Sequence, residues 1–140
     1  MRIAVIDGQG GGIGKAIVSK FRHSFEEQIE IIALGTNSLA TSVMLKAGAN
    51  EGATGENAIA YTAPKVNIIL GPIGIICAHS FLGELTPTMA SAIAESPAKK
   101  ILIPLNRCNI TVTGIEVKPL PHYIDDAIEL VKTLRGDQSV

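Results

Sequence analysis

The residues of this sequence best suited to chemistry are glycines. Gly8-Gln9-Gly10-Gly11-Gly12-Ile13-Gly14-Lys15 follows Arg2-Ile3-Ala4-Val5-Ile6-Asp7 without a break. A glycine run lets the backbone turn tightly and lets a ligand lie against bare N–H groups, because no Cβ stands between them. Where such a run joins the end of a strand to the start of a helix, free amides and the positive end of the helix dipole face one point. The chemistry expected is capture of a phosphate-bearing small molecule, with the N–H groups of Gly10 to Gly14 on the phosphate. Asp7 either accepts loop N–H bonds and fixes the turn, or takes a ligand hydroxyl or amine. The first role is favoured, because a carboxylate so close would repel a phosphate.

The spacing narrows the motif. A G-x-G-x-x-G reading from Gly8 fails at Ile13. A P-loop would need glycine at Gln9, and Ala16 stands where a magnesium-binding Ser or Thr belongs. G-x-x-x-G-x-G fits, on Gly8, Gly12 and Gly14. With Ile13 and Lys15-Ala16-Ile17, this spacing resembles the cofactor loop of short-chain dehydrogenases over roughly the first 24 residues. The resemblance implies a nucleotide or dinucleotide, with NAD or NADP the first cofactors to expect. Two departures stand beside it. Such cofactors are usually held by an acidic residue after the second strand, whereas this chain has Gly35-Thr36-Asn37 there. The chain is also much shorter than a short-chain dehydrogenase. Thr36 and Asn37 are expected to cap the next helix or to hold a sugar, the cap being favoured. In its length and its Asp-Gly-Gln-Gly-Gly-Gly-Ile-Gly opening, the whole chain resembles a small bacterial family of unknown function.

Other candidates are sparser. His79 and Cys77 are the two candidate catalytic residues if the protein is an enzyme, since a thiol or hydroxyl nucleophile needs a base within reach. Tyr61-Thr62-Ala63-Pro64-Lys65 fits the Tyr-x-x-x-Lys pair of the dehydrogenase family. Pro64 is expected to break the helix between them, and the pair precedes a strand, which puts it at the end of the sheet away from the glycines. Three scattered histidines and no paired carboxylates predict no metal site. Cys77 and Cys108 are far apart in sequence and read as two reduced thiols.

These residues must be positioned by regular elements. Apolar runs predict strands at residues 2–7, 29–34, 66–71 and 100–105. Helical spacing predicts helices at 13–23, across Leu39, Val43, Met44 and Ala47, from Thr86-Pro87 to Ser96, and at 123–135. Residues 50–55, small and polar, read as a loop, with a short helical turn or two following. Residues 110–117 alternate, which predicts a fifth strand. The turn before it is too short for a parallel crossover, so that strand is expected to be antiparallel. The fold class expected is α/β: a single Rossmann-like three-layer domain over residues 1–136, with a mostly parallel five-stranded sheet and a disordered tail at 137–140. The strand order expected is 2-1-3-4-5, with 3-2-1-4-5 the alternative. Ligands in such folds bind beyond the carboxyl ends of the strands. That rule gathers Asp7, Gly8, Gly10, Gly11, Gly12, Ile13, Gly14, Thr36, Asn37, Gly71 and Asn106, with Arg107 beside it, along one edge. Asn106 or His79 would meet the distal part of the ligand.

Composition sets the outer bounds. Hydrophobic residues make up 46% of the 140 and aromatic residues only 4%, so the core must be aliphatic. Twelve basic and 13 acidic residues give a net charge of −1 with no basic block, which argues against a nucleic-acid partner. The longest apolar run, residues 68–78, is about half the length of a spanning helix and is interrupted by Gly71, Pro72 and Gly74. A soluble cytoplasmic protein is expected, with no membrane partner and with self-association open to it. The alternatives to nucleotide binding are a small oxidoreductase-like enzyme using that cofactor, and an oligomeric structural or partner-binding subunit whose loop is empty.

Overall fold

The structure, a computed structural model, describes residues 1–105 and 108–136. Five strands, β1 (Arg2–Asp7), β2 (Glu30–Gly35), β3 (Glu51–Thr54), β4 (Ile68–Pro72) and β5 (Lys99–Ile103), form one sheet in the order β3-β2-β1-β4-β5. Every pairing is parallel. The helices are α1 (Gly12–Phe25), α2 (Ser38–Ala47), α3 (Glu56–Thr62), α4 (Pro87–Glu95) and α5 (Leu120–Arg135).

Side chains of a strand alternate between faces, so β1 feeds two cores. Ile3 and Val5 pack with Ile17 and Phe21 of α1, Met44 of α2 and Ile124, Ile128 and Val131 of α5. Ala4 and Ile6 pack with Ile59 of α3 and Met89 and Ile93 of α4. Helices therefore cover both faces, which explains why β1, β2 and β4 read as unbroken apolar runs. The result is a three-layer α/β fold with β1 in the middle of the sheet and its carboxyl end at the glycines.

Two expectations about strands need correction. No antiparallel strand occurs among the described residues: 110–117 is irregular. Asn109 and Gly114 take positive φ (55° and 77°), which interrupts an extended course. The Tyr123 hydroxyl donates to the Glu116 carbonyl and accepts from the Lys118 amide, pinning this segment to α5 instead. The fifth strand is β3, within the segment expected to be a loop. It pairs with β2 from Ile32↔Glu51 to Gly35↔Thr54. Its residues are small where α2 crosses it: a Cβ on Gly52 would lie 2.9 Å from Thr41 Cγ2 and 3.0 Å from Leu45 Cδ1. The four strands that were foreseen keep the order expected for them, 2-1-3-4. Counting β3, the sheet reads 3-2-1-4-5 along the chain. Residues 137–140 lie outside the described residues.

Candidate functional site

The site begins where β1 ends. Asp7 is 3% exposed, and a buried carboxylate needs donors. Its Oδ1 accepts from the Gly8 N–H (2.8 Å) and its Oδ2 from the Gly14 N–H (2.7 Å). Asp7 thus clamps both ends of the loop, the turn-fixing role favoured by the sequence. Gly11 N–H donates to Gly8 O at 2.9 Å, and Gly11 takes φ 73° to start α1. The N–H groups of Gly10, Gly12 and Ile13 meet no acceptor among the described residues. They face a cleft of about 240 Å³ lined by residues 7–13, Phe81 and Leu120.

The glycines divide into two groups. A Cβ on Gly8 would lie 2.4 Å from Thr36 Oγ1 and 2.7 Å from Phe81 Cδ2; on Gly11, 2.6 Å from Val43 Cγ2; on Gly14, 2.5 Å from Met44 Sδ. Close packing accounts for those three. Gly71 belongs with them: its Cβ would lie 2.4 Å from the Ile6 carbonyl oxygen, and it does not line the cleft. Its expected ligand role gives way to the close approach of β4 to β1. Gly10 and Gly12 are different. Neither has a positive φ, and a Cβ on either would meet nothing within 4 Å. The fold itself does not require glycine at these two positions.

A residue the sequence reading missed completes the site. Glu84 lies in the connection between β4 and α4, and its Oε1 accepts from the Gln9 N–H (2.8 Å), Thr36 Oγ1 (2.7 Å) and Asn37 Nδ2 (3.0 Å). Its Oε2 makes no hydrogen bond among the described residues. Asn37 also caps α2, its Oδ1 accepting from the Ala40 N–H, and its Nδ2 donates to Gln9 O. Thr36 and Asn37 therefore hold Glu84 and the cap, and neither lines the cleft. Nothing in the apolar, aperiodic run around residue 84 marks it. Phe81 and Leu120, the apolar walls of the cleft, were equally silent.

The Glu84 carboxyl titrates below its ordinary value of 4.5. Burial pulls it upward, but the hydrogen bonds from Gln9, Thr36 and Asn37 outweigh burial. A depressed acid contributes stability above its unfolded pKa and loses it as pH falls through the folded one. The clasp is therefore intact near neutral pH and opens in acid. In a pH titration by NMR, the Gln9 amide resonance should move with a midpoint below 4.5, and Glu84→Gln should abolish that movement.

The loop carrying Glu84 holds both candidate catalytic residues. His79, Phe81 and Leu82 have φ of 70°, 59° and 56°, a conformation costing non-glycine residues about 1 kcal/mol or more each. The turn is held by His79 N–H to Leu85 O (2.7 Å) and by Ser80 Oγ, which donates to the Gly74 and Cys77 carbonyls. The His79 side chain is exposed and makes no hydrogen bond among the described residues. Burial, then the neighbouring Cys108, pushes the Cys77 thiol up to about 11, which keeps it protonated at rest. The two do not form a nucleophile–base pair. Asn106 and Arg107 lie outside the described residues.

A larger cavity, about 690 Å³, lies at the amino end of the sheet between Arg2, Glu51, Asn57, Tyr61 and Lys65. The helical course continues past Pro64 as a 3-10 turn, so Lys65 does reach Tyr61, its Nζ 3.1 Å from the ring centroid. The pair lies at the end away from the glycines, as its place in the chain implied. The small cleft is the stronger candidate despite its size, because the N–H groups of Gly10, Gly12 and Ile13, which meet no acceptor among the described residues, face it. Among the described residues no group of three or more His, Cys, Asp or Glu could hold a metal, and no helix is long and apolar enough to cross a membrane.

These features define a small three-layer α/β domain built on a strand–glycine loop–helix unit. The chain belongs to the DUF3842 family, a domain of unknown function, whose profile matches residues 2–135. No curated protein matches the sequence. Among solved structures, it is similar to a dodecameric FMN-dependent UbiX-like decarboxylase from Escherichia coli O157:H7. That likeness has 9% identity and a TM-score of 0.45, covering 97% of this chain and 95% of that one.

Proposed function

We propose that residues 1–136 are one nucleotide-binding domain, which takes the phosphate of a nucleotide or dinucleotide on the N–H groups of Gly10, Gly12 and Ile13. The observation that carries this reading is the pair Gly10 and Gly12, glycines with no packing reason to be glycine beside three unpaired amides. A ligand lying against the backbone supplies that reason. Glu84 supports a nucleotide over bare phosphate. Its bonded oxygen stands 2.7 Å from Thr36 Oγ1, at the end of β2, where nucleotide-binding folds of this kind place the acid that accepts ribose hydroxyls. Oε2 is the acceptor, and Thr36 and Asn37 position it. The cleft is below the roughly 300 Å³ at which ligand pockets begin, so it holds the phosphate end while the rest of the ligand runs over the strand ends. A soluble cytoplasmic binding protein is the setting we infer, with edge strands β3 and β5 available for self-association.

Thermal-shift measurements with NAD, NADP, FAD, ATP, GTP, CoA and inorganic phosphate test this. A ligand at 100 times its dissociation constant should add about 2.7 kcal/mol to stability. Gly12→Val should leave the unliganded protein within about 1 kcal/mol of the original, since position 12 opens the helix and has free space, and should abolish the ligand shift. A shift that survives Gly12→Val would overturn the reading by placing the ligand away from the loop, and no shift with any ligand would overturn it in favour of a partner-binding subunit with an empty loop.

A further inference from the structure

The cysteines that looked unrelated in sequence meet in space. Cys77 ends the 3-10 turn Ile73–Ile76 that follows β4, and Cys108 lies beyond the end of β5. Their sulfurs are 3.7 Å apart: Cys108 donates its S–H to Cys77 Sγ, while Cys77 donates to Ile73 O at 3.7 Å. Both are half-buried and reduced, so a small oxidant can reach them. Neither lines the glycine-loop cleft, so the proposed ligand site does not account for them. They are the only two cysteines of the chain.

We propose that Cys77 and Cys108 are a peroxide-oxidised dithiol pair, whose disulfide ties the loop carrying Glu84 to the segment after β5. A disulfide needs the sulfurs at about 2 Å, so they must close by less than 2 Å. Cys108 lies in irregular chain that can yield this movement. The chemistry balances with hydrogen peroxide as the two-electron oxidant. The Cys108 thiolate attacks one peroxide oxygen and breaks the O–O bond, giving the sulfenic acid. The departing hydroxide takes the thiol proton and leaves as water. Cys77 sulfur then attacks Cys108 sulfur and the S–OH bond breaks. The second hydroxide takes the Cys77 proton and leaves as water. Two thiols and one peroxide become one disulfide and two waters, and an external dithiol reverses the change. The order follows from the place of Cys77: its S–H is held on the Ile73 carbonyl, and burial, then Cys108, pushes its thiol up, so it is not the first to react.

Equimolar hydrogen peroxide on the reduced full-length protein tests the pair. Peptide mapping without reductant should find Cys77 joined to Cys108 within one chain, with the mass of two hydrogens lost. Bridging should be roughly tenfold or more faster in the folded protein than in urea, because the fold holds the sulfurs together. In Cys77→Ser, Cys108 should accumulate as a sulfenic acid that dimedone traps; in Cys108→Ser, Cys77 should stay reduced. Oxidation should slow amide exchange across residues 79–85, whatever the loop binds. Sulfinic or sulfonic acids without a bridge, disulfides between chains, or equal rates in urea would each overturn the proposal.

Discussion

Gly71→Ala is expected to destabilise the protein by about 3 kcal/mol, lowering its melting temperature by about 10 °C. The added Cβ would stand 2.4 Å from the Ile6 carbonyl oxygen and 3.0 Å from Ile75 Cδ1. Ile75 can turn aside. The Ile6 carbonyl cannot, because it belongs to the central strand, whose ladder β4 joins from Ile3↔Ile68 to Val5↔Leu70. Relief requires β4 to draw away from β1 where the sheet is packed on both faces, so the strain is shared by two cores. Gly10→Ala is the control. Its Cβ has open space and its φ is not positive, so it should be neutral or stabilising by up to about 1 kcal/mol through loss of unfolded-state freedom. Urea unfolding of the two variants side by side measures the contrast. Equal effects would mean that the glycines are not divided by packing as described.

Asp7→Ala should cost about 4 kcal/mol, and its effect should be concentrated at the loop. The substitution removes acceptors from two buried amides, Gly8 N–H at 2.8 Å and Gly14 N–H at 2.7 Å. Each orphaned donor costs about 1–3 kcal/mol, and bonds to a charged acceptor lie at the upper end. Asp7→Asn should lose about half as much, since one side-chain oxygen still accepts while the amide nitrogen cannot. Hydrogen exchange resolved by residue should show both the Gly8 and Gly14 amides exposed in Asp7→Ala and one of the two exposed in Asp7→Asn. Global destabilisation with no selective loss of protection there would contradict the clamp.

What the sequence disclosed follows from what each residue faces. β1, β2 and β4 are buried on both faces, so their apolar runs have no other reading. β3 is invisible to that signal: Glu51–Thr54 is exposed throughout, and its small residues answer to α2 crossing above it, a tertiary demand with no local period. The opposite error arose at residues 110–117, where alternation marks a segment pinned by the Tyr123 hydroxyl, with left-handed turns at Asn109 and Gly114. Within the candidate site, the strand–loop–helix unit and the Asp7 clamp were legible because adjacent residues make them. Glu84 was not, because it reaches Thr36 and Asn37 across 48 and 47 residues. A separation of 31 residues likewise hid Cys77 from Cys108.

The most direct test of the central claim is an NMR titration of the isotope-labelled protein with the nucleotide that gives the largest thermal shift. The amides of Gly10, Gly12 and Ile13 should move furthest and saturate together. Gly8 and Gly14, already bonded to Asp7, should move less, and Glu84→Gln should weaken binding of the nucleotide more than binding of inorganic phosphate. Saturable binding that leaves Gly10, Gly12 and Ile13 unmoved and shifts resonances elsewhere would contradict the account.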